Sequence, residues 1–342
     1  MQNSNDEYLR PEHPLTVMDL PLAAVTRLYG LELSLLEKIP GGYLSENYAL
    51  TNGATKYFLK KHRLTDRKEV EGVYLAERFF AEGGIPVILP LATKEGAYFF
   101  EENTKYYALY PFVSGHHIER GKLSETAAAS LGATLAVLHK RGKDSTLSVR
   151  EHFNAWDKEK FLAKAAAIES EITKKSSSSD FDGLVLKSLA LKKGIVQNNT
   201  ITYEQLSLQD DHLIHGDYFC DNVFFDKNDH ISYVFDFEKT QYAPPLYELF
   251  RSLFVSFLSI PSQENLSIAK KYVDAYLGAY QFPKSVVRSS FTAAYLKQMH
   301  SIWIEEEHYL KHSNRTDDLL PSQYACNEYC VTNRAAIEAF LL

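Results

Sequence analysis

Apolar positions first come in short, partly alternating runs. From Ser124 onward they recur at the spacing of a helix face, which predicts strands followed by helices. A helical lead-in, PLAAVTRLYGL, precedes the strands. The runs Tyr48 to Leu50 and Tyr57 to Lys60 flank Asn52-Gly53, a dipeptide suited to a tight hairpin turn. Asp66, with Glu69 three positions on, predicts a capped start for a helix through KEVEGVYLAERFFAE that stops at Gly83-Gly84. Two further strands are expected around AYFFEE and KYYALYPFV, and SETAAASLGATLAVLHKRG is the clearest helix. KKSSSSDFDG and QNNT are dense in turn formers and read as loops, so residues 174–200 are expected to hold an insertion. LYELFRSLFVSFLSIP is too short for a membrane span and carries Glu248 and Arg251, so it reads as a buried helix. FTAAYLKQMHSIWIEEEHYL reads as one continuous helix. The order implies an α+β protein with a small, mainly antiparallel β lobe over residues 1–112 and a larger, mainly helical lobe over 113–342.

One polar break interrupts this pattern. In HLIHGDYFCDNVFFD, residues 212–226, His215, Gly216, Asp217, Asp221 and Asn222 fall within eight positions, more than a surface turn needs. NVFF, the turn DKNDH and ISYVF then form a hairpin whose second strand ends in Asp236-Phe237-Glu238, which brings Asp217, Asn222 and Asp236 close together. Asn222 and Asp236 offer the hard oxygen donors that Mg²⁺ takes when nucleotide phosphates complete its octahedron, and Asp217 is left free as a base. That division matches phosphoryl transfer: a loop Asp receives a hydroxyl proton, and an Asn five positions later and an Asp on the next hairpin hold metal. The same template asks for a lysine on the third strand. Lys60 in KYFLKK fits, with Lys61 as a rival of opposite side-chain direction. A glutamate on the following helix should pair with it, Glu71 or alternatively Glu69. The loop GGYLSEN would lie over the phosphates, Gly41 and Gly42 allowing close backbone approach and Ser45 and Asn47 offering donors. His215 reads as a loop-shaping residue, since Asp217 already fills the proton-accepting role.

Composition narrows the setting. The 342 residues, 45% of them hydrophobic, suffice for about two domains of roughly 150 residues. MQNSNDEYLRPEHP has no basic segment followed by an apolar one, so a cytoplasmic location is expected. Three cysteines, Cys220, Cys326 and Cys330, are too few for a disulfide framework. A net charge of −7 argues against nucleic acid as a partner and leaves cationic small molecules open.

These residues resemble the aminoglycoside phosphotransferase and choline kinase family, the small-molecule branch of the protein-kinase-like fold. HGDYFCDN and DFE stand at family spacing, supported by YFLK, EVE and the hinge-like YALYPFVSG, and the likeness spans residues 35–310. It implies a two-lobed kinase-like fold, ATP as donor, Mg²⁺ as metal, Asp217 as catalytic base, Asn222 and Asp236 as metal ligands with Glu238 as a further metal contact, and Lys60 as the phosphate lysine. HGDYFCDNVFF is especially similar to the homoserine kinases of this family. Where the family has an Asp in the helix after the metal loop, PPLYELFRSL offers Glu248. No Arg stands between His215 and Asp217, no glycine follows Asp236-Phe237, and no A-P-E segment appears. A small-molecule acceptor with a hydroxyl group is therefore favoured over a protein Ser/Thr kinase. The other alternative, a non-catalytic nucleotide-binding or coat-type relative, is opposed by the intact Asp217, Asn222 and Asp236. The acceptor is expected to be amine-bearing: an amino alcohol, a hydroxy amino acid such as homoserine, or an aminoglycoside. On the helix after Phe291, Tyr295, Met299, Ile302 and Trp303 form a stripe to which Glu306 returns, so Trp303 and Glu306 would hold an ammonium group.

Overall fold

The computed structural model describes residues 20–39, 46–149 and 153–342. They fall into two compact units, one drawn from residues 1–65 and 90–112, the other from 66–89 and 113–342.

The first unit holds α1 (Leu22–Tyr29) and an antiparallel sheet of β1 (Ser34–Ile39), β2 (Glu46–Thr51), β3 (Lys56–Lys61), β4 (Phe100–Glu102) and β5 (Lys105–Pro111), in the order β1-β2-β3-β5-β4. The β2–β3 turn is the one the Asn-Gly pair predicts. Gly53 takes φ 91°, and the Asn52 side chain accepts from the backbone N–H groups of Ala54 and Thr55. Val25 of α1 packs with Tyr48, Leu50, Leu59 and Leu109 on one face of the sheet. The register sets Glu46 opposite Lys61 and Asn47 opposite Lys60, so the two lysines lie on opposite faces.

The second unit holds α2 (Arg67–Glu82), α3 (Glu125–Lys143), α4 (Lys158–Thr173), α5 (Asp180–Asn198), α6 (Pro245–Ser256), α7 (Gln263–Ala279), α8 (Lys284–Met299), α9 (Trp303–Tyr309) and α10 (Leu320–Leu341). Two short antiparallel ladders pair β6 (His212–Ile214) with β9 (Gln241–Ala243) and β7 (Val223–Phe225) with β8 (Ile231–Val234). Residues 66–89, expected in the first lobe, group with this unit. The cause is packing: Phe80 of α2 stacks on Phe237 with centroids 5.5 Å apart, and the Val234 N–H donates to the Pro86 carbonyl. Asp66 caps α2 by accepting from the Lys68 N–H at 2.7 Å, and Ser124 caps α3 by accepting from Ala127. No helix among the described residues is long and apolar enough to cross a membrane. Cys326 and Cys330 are buried in α10, and no three His, Cys, Asp or Glu side chains cluster as a metal site among the described residues.

Two expectations are corrected. Residues 180–183 and 197–198, expected in the two loops, are the ends of helix α5, which is opened by a reciprocal cap: the Asp182 N–H donates to the Ser179 hydroxyl, and the Asp182 carboxylate accepts from the Ser179 N–H. Val185, Leu189 and Val196 of α5 bury against Phe161, Ala165 and Ile168 of α4, in a cluster the lysines and serines around them conceal. The second correction concerns residues 291–310, which form two helices. Lys192, fully buried, donates to the Ser301 carbonyl at 2.8 Å and pairs with Glu305 at 2.9 Å. α8 ends at Met299, and the chain re-enters as α9 at Trp303 with Glu305 inward.

Candidate active site

The polar break lies where the two ladders meet. β6 pairs with β9, with Ile214 opposite Gln241, so the loop after β6 runs directly beside the segment after β8. Gly216 has φ 84°, and a Cβ there would stand 1.7 Å from the Lys239 carbonyl oxygen. Only glycine fits that crossing. His215 is buried and its roles follow from its partners. Nε2 donates to the Phe235 carbonyl at 2.9 Å, and Nδ1 accepts from the Asp217 N–H at 3.2 Å. Both ring nitrogens are thus taken up in shaping the loop.

Glu248, on α6, clamps the same loop from beneath. Its carboxylate accepts from the N–H groups of His215 at 3.1 Å, Gly216 at 2.5 Å and Tyr218 at 3.3 Å. His139 of α3 donates to it through Nε2 at 3.0 Å, and the Tyr276 hydroxyl donates to Nδ1 of His139 at 2.8 Å. Burial alone would raise the Glu248 carboxyl, but the hydrogen bond from His139 and the nearby positive groups outweigh it and keep it below the usual range. Burial drives His139 the other way, below the ordinary histidine range. The pair is therefore a carboxylate held by a neutral imidazole and backbone dipoles, in the position where the resembling family has Asp.

Asp217 sits on this loop with its carboxylate between two cations. Arg251, also on α6, donates through Nη2 to one oxygen at 2.5 Å, and Lys239 donates to the other at 2.8 Å. Burial would raise the carboxyl, but the charges of Arg251 and Lys239 hold it well below the usual carboxylate range. It is ionised and weakly basic.

Asn222 and Asp236 are brought together as the hairpin requires. The Phe235 N–H donates to the Asn222 carbonyl at 3.1 Å, and the Asn222 side-chain N–H donates to the Asp217 carbonyl at 2.8 Å. The second bond leaves the Asn222 side-chain oxygen as the remaining acceptor of that amide. Asp236 holds φ 67°, a left-handed backbone that costs about 1–3 kcal/mol in a residue with a side chain and recurs at ligand sites. An amide oxygen and a carboxylate form a hard donor set suited to Mg²⁺. Glu238 is buried on the short turn that follows.

The other residues singled out in the sequence separate. Lys60 is buried at 7% exposure and stands across from Asn47, whose side-chain oxygen is buried without a hydrogen-bond partner among the described residues. Lys61 is bonded to Glu46 at 2.6 Å on the opposite face. Burial would raise the Glu46 carboxyl, but Lys61, Tyr48 and Lys38 hold it at about 2. Glu71 lies on the solvent side of α2, where Arg67 donates to it at 3.0 Å, whereas Glu77 lies on the buried face of that helix. Gly41, Gly42 and Ser45 lie outside the described residues. The helix break disperses the expected amine site. Tyr295, Met299 and Ile302 are core, Trp303 is 39% exposed, and the Glu306 carboxylate is held by Lys164. Sequence reasoning passed over Lys239 and Arg251. The only signal for them was position, one residue after Asp-Phe-Glu and one helical turn after Glu248.

Residues 36–285 match the sequence model of the Phosphotransferase enzyme family. The sequence matches none of the curated proteins. The fold is similar to that of an aminoglycoside phosphotransferase from Alicyclobacillus acidocaldarius, at 16% identity over 96% of this chain and 98% of that one, with a TM-score of 0.63. It is also similar to a spectinomycin phosphotransferase in complex with ADP and spectinomycin, at 15% identity over 92% and 100% of the two chains and a TM-score of 0.58. A microcompartment-associated aminopropanol kinase is similar at 15% identity over 91% and 96%, with a TM-score of 0.60. At these identities the likeness is one of fold.

Proposed function

Because the chain belongs to the phosphotransferase enzyme family, we propose that it moves the γ-phosphoryl group of ATP to a hydroxyl of a small molecule, with Asp217 as the base. What carries the reading is the Asp217 carboxylate, ionised on a loop clamped by Glu248, with Asn222 and Asp236 beside it. In the proposed step the acceptor hydroxyl donates a hydrogen bond to Asp217, and its oxygen attacks the γ-phosphorus as the bond to the ADP oxygen breaks. The hydroxyl proton passes to Asp217. A carboxylate held this far down is a poor base toward a resting alcohol, so the proton moves late, when bonding to phosphorus has made the hydroxyl acidic. Until then Asp217 mainly orients the nucleophile. Bound Mg²⁺ would neutralise phosphate charge, with Asn222 and Asp236 holding it and Glu238 as a further contact. Lys60 is proposed to contact a nucleotide phosphate, and Asn47 to offer a polar group near it. Incubation of the protein with Mg²⁺-ATP and a panel of hydroxyl-bearing small molecules, read as ADP release, tests the reading. No acceptor-dependent release from any class of alcohol would sink it.

Asp236→Ala removes the carboxylate that the metal is proposed to need. Activity should collapse at ordinary Mg²⁺ concentrations and recover in part when Mg²⁺ is raised. An unchanged Mg²⁺ dependence would remove Asp236 from the metal set.

The cations on Asp217 have a pH signature. The folded pKa lies below the ordinary 3.8, so this group stabilises the fold above that pH and the contribution is lost as pH falls through the folded value. Arg251→Met removes the cation with the stronger pull on the Asp217 carboxyl and should move the Asp217 titration upward. The acid limb of the kcat/KM profile should then shift to higher pH in the variant. Superimposable limbs in variant and wild type would mean that Asp217 does not titrate in the catalytic step.

A further inference from the structure

Asp217 carries two cations, and a base needs only one. Arg251 places its guanidinium on the carboxylate and lies over the Phe219 ring, 5.8 Å from the ring centre. That contact suffices to keep a buried carboxylate ionised and aimed. Against burial, which raises the carboxyl, Lys239 adds its charge to that of Arg251 and lowers the basicity further. A proton acceptor gains nothing from the second cation, so the use of Lys239 lies elsewhere.

The placement of Lys239 combines a fixed backbone with an open side chain. Its carbonyl lies in the crossing over Gly216, where a Cβ would stand 1.7 Å from the carbonyl oxygen, and the next hydroxyl, of Thr240, donates to the Ile214 carbonyl at 2.8 Å. The backbone is thus tied to the chain that leads into Asp217. The side chain of Lys239 is 41% exposed, against 27% for Arg251 and 13% for Asp217, so it is the most open of the three. An ammonium has three N–H donors, and the contact with Asp217 at 2.8 Å takes one. Lys239 also ends the turn Phe237–Lys239 that follows Asp236 directly, so one short turn joins a proposed metal ligand to the proposed base. Two groups bonded to one carboxylate oxygen stand about 4–5 Å apart, and phosphorus comes within about 3–3.5 Å of the attacking oxygen. Rotation of the lysine stem therefore brings the ammonium from Asp217 to a phosphoryl oxygen.

We propose that Lys239 is a catalytic residue whose ammonium leaves Asp217 when the acceptor hydroxyl docks there and donates to an oxygen of the γ-phosphoryl group during its transfer. The proposal rests on the phosphotransferase reading above and adds a residue to it. The acceptor oxygen bonds to phosphorus, the bond from phosphorus to the ADP oxygen breaks, the hydroxyl proton goes to Asp217, and Lys239 keeps its proton throughout. Its departure returns basicity to Asp217 in the same event that puts positive charge beside the phosphoryl group. Arg251 stays and orients the carboxylate.

Lys239→Met should lower kcat by about 10²- to 10³-fold, the usual cost of one donor aimed at developing charge. A lysine that merely braced Asp217 would lower kcat too, so a readout without turnover decides. Isothermal titration with Mg²⁺-ADP, alone and with aluminium fluoride as a stand-in for the transferring phosphoryl group, compares the wild type with the variants. The wild type should bind the fluoride complex more tightly than ADP. Lys239→Met should weaken the fluoride complex by about 10- to 100-fold, the loss of one hydrogen bond between charged groups, and leave ADP unchanged. In Lys239→Cys, alkylation with 2-bromoethylamine rebuilds an ammonium of nearly the same reach, while Cys220, Cys326 and Cys330 are buried. It should restore most of the loss, and alkylation with iodoacetamide should not. A wild type that holds the fluoride complex no more tightly than ADP, an equal loss for both ligands in Lys239→Met, no loss for either, or equal rescue by the neutral reagent would overturn the proposal. Selective loss of the fluoride complex, with no ADP release from any class of alcohol in the wild type, would keep Lys239 on the phosphoryl group and count against alcohols as acceptors.

Discussion

Asp217→Asn is expected to lower turnover by about 10²- to 10⁴-fold, the usual contribution of a positioned base, and to leave ATP binding near the wild-type level. Asparagine keeps the shape of the side chain, and its oxygen can still accept from Arg251 or Lys239. It cannot accept the hydroxyl proton, and its amide N–H groups must face one of the two cations. Isothermal titration with a non-hydrolysable ATP analogue separates the two effects, since a collapsed loop would weaken nucleotide binding as well. Turnover within a few-fold of wild type would remove Asp217 from the base role. Loss of nucleotide binding together with turnover would instead make its main role structural, as the anion between Lys239 and Arg251.

Why the closeness of Asp217, Asn222 and Asp236 could be read from the sequence, while the groups around them could not, follows from distance along the chain. The three lie within one loop and one hairpin, and local signals fix both: Gly216 at a left-handed position, and a β7–β8 turn whose Asp226 caps Asn228 and His230. The Asn52-Gly53 turn and the cap at Asp66 were legible for the same reason. The contacts that set the chemistry of Asp217 are not local. Lys239 lies 22 positions away, Arg251 lies 34 away, and His139 reaches Glu248 across 109. No periodicity says which helix face meets which loop. The acceptor side was misread through helical phase. A continuous helix carries Glu306 to the face of Tyr295, but the break at residues 300–302 resets the phase and turns Glu305 inward, where it meets the buried Lys192 of α5. In α2 the periodic pattern was right, and of its two candidate glutamates, Glu71 and Glu69, Glu71 lies on the wet face of the helix, bonded to Arg67.

Glu248→Ala should have the largest effect on stability. The fully buried carboxylate answers three backbone N–H groups of the catalytic loop and the His139 ring, and its removal leaves all four donors in a dry site. Breaking a buried charged cluster from one side costs about 3–5 kcal/mol, more than the clamp itself would be worth against an apolar replacement of both sides. Glu248→Gln is the sharper experiment because it keeps the volume and one acceptor oxygen. Its amide N–H groups must point either at the Gly216 and Tyr218 N–H groups or at those of His215 and His139, and each placement sets donor against donor. The expected loss is about 1–3 kcal/mol, read as a lower urea midpoint for the second unit. Turnover should fall with it even at temperatures where the variant is fully folded, because a loosened loop no longer fixes Asp217 against the acceptor and errors of about 1 Å there cost about 10²-fold. Since the proposed phosphate contact, Lys60, takes no part in this clamp, the KM for ATP should change less than kcat. A Gln variant that unfolds at the wild-type urea concentration and turns over at the wild-type rate would mean that the β6–β9 ladder and the Gly216 crossing hold the loop without Glu248.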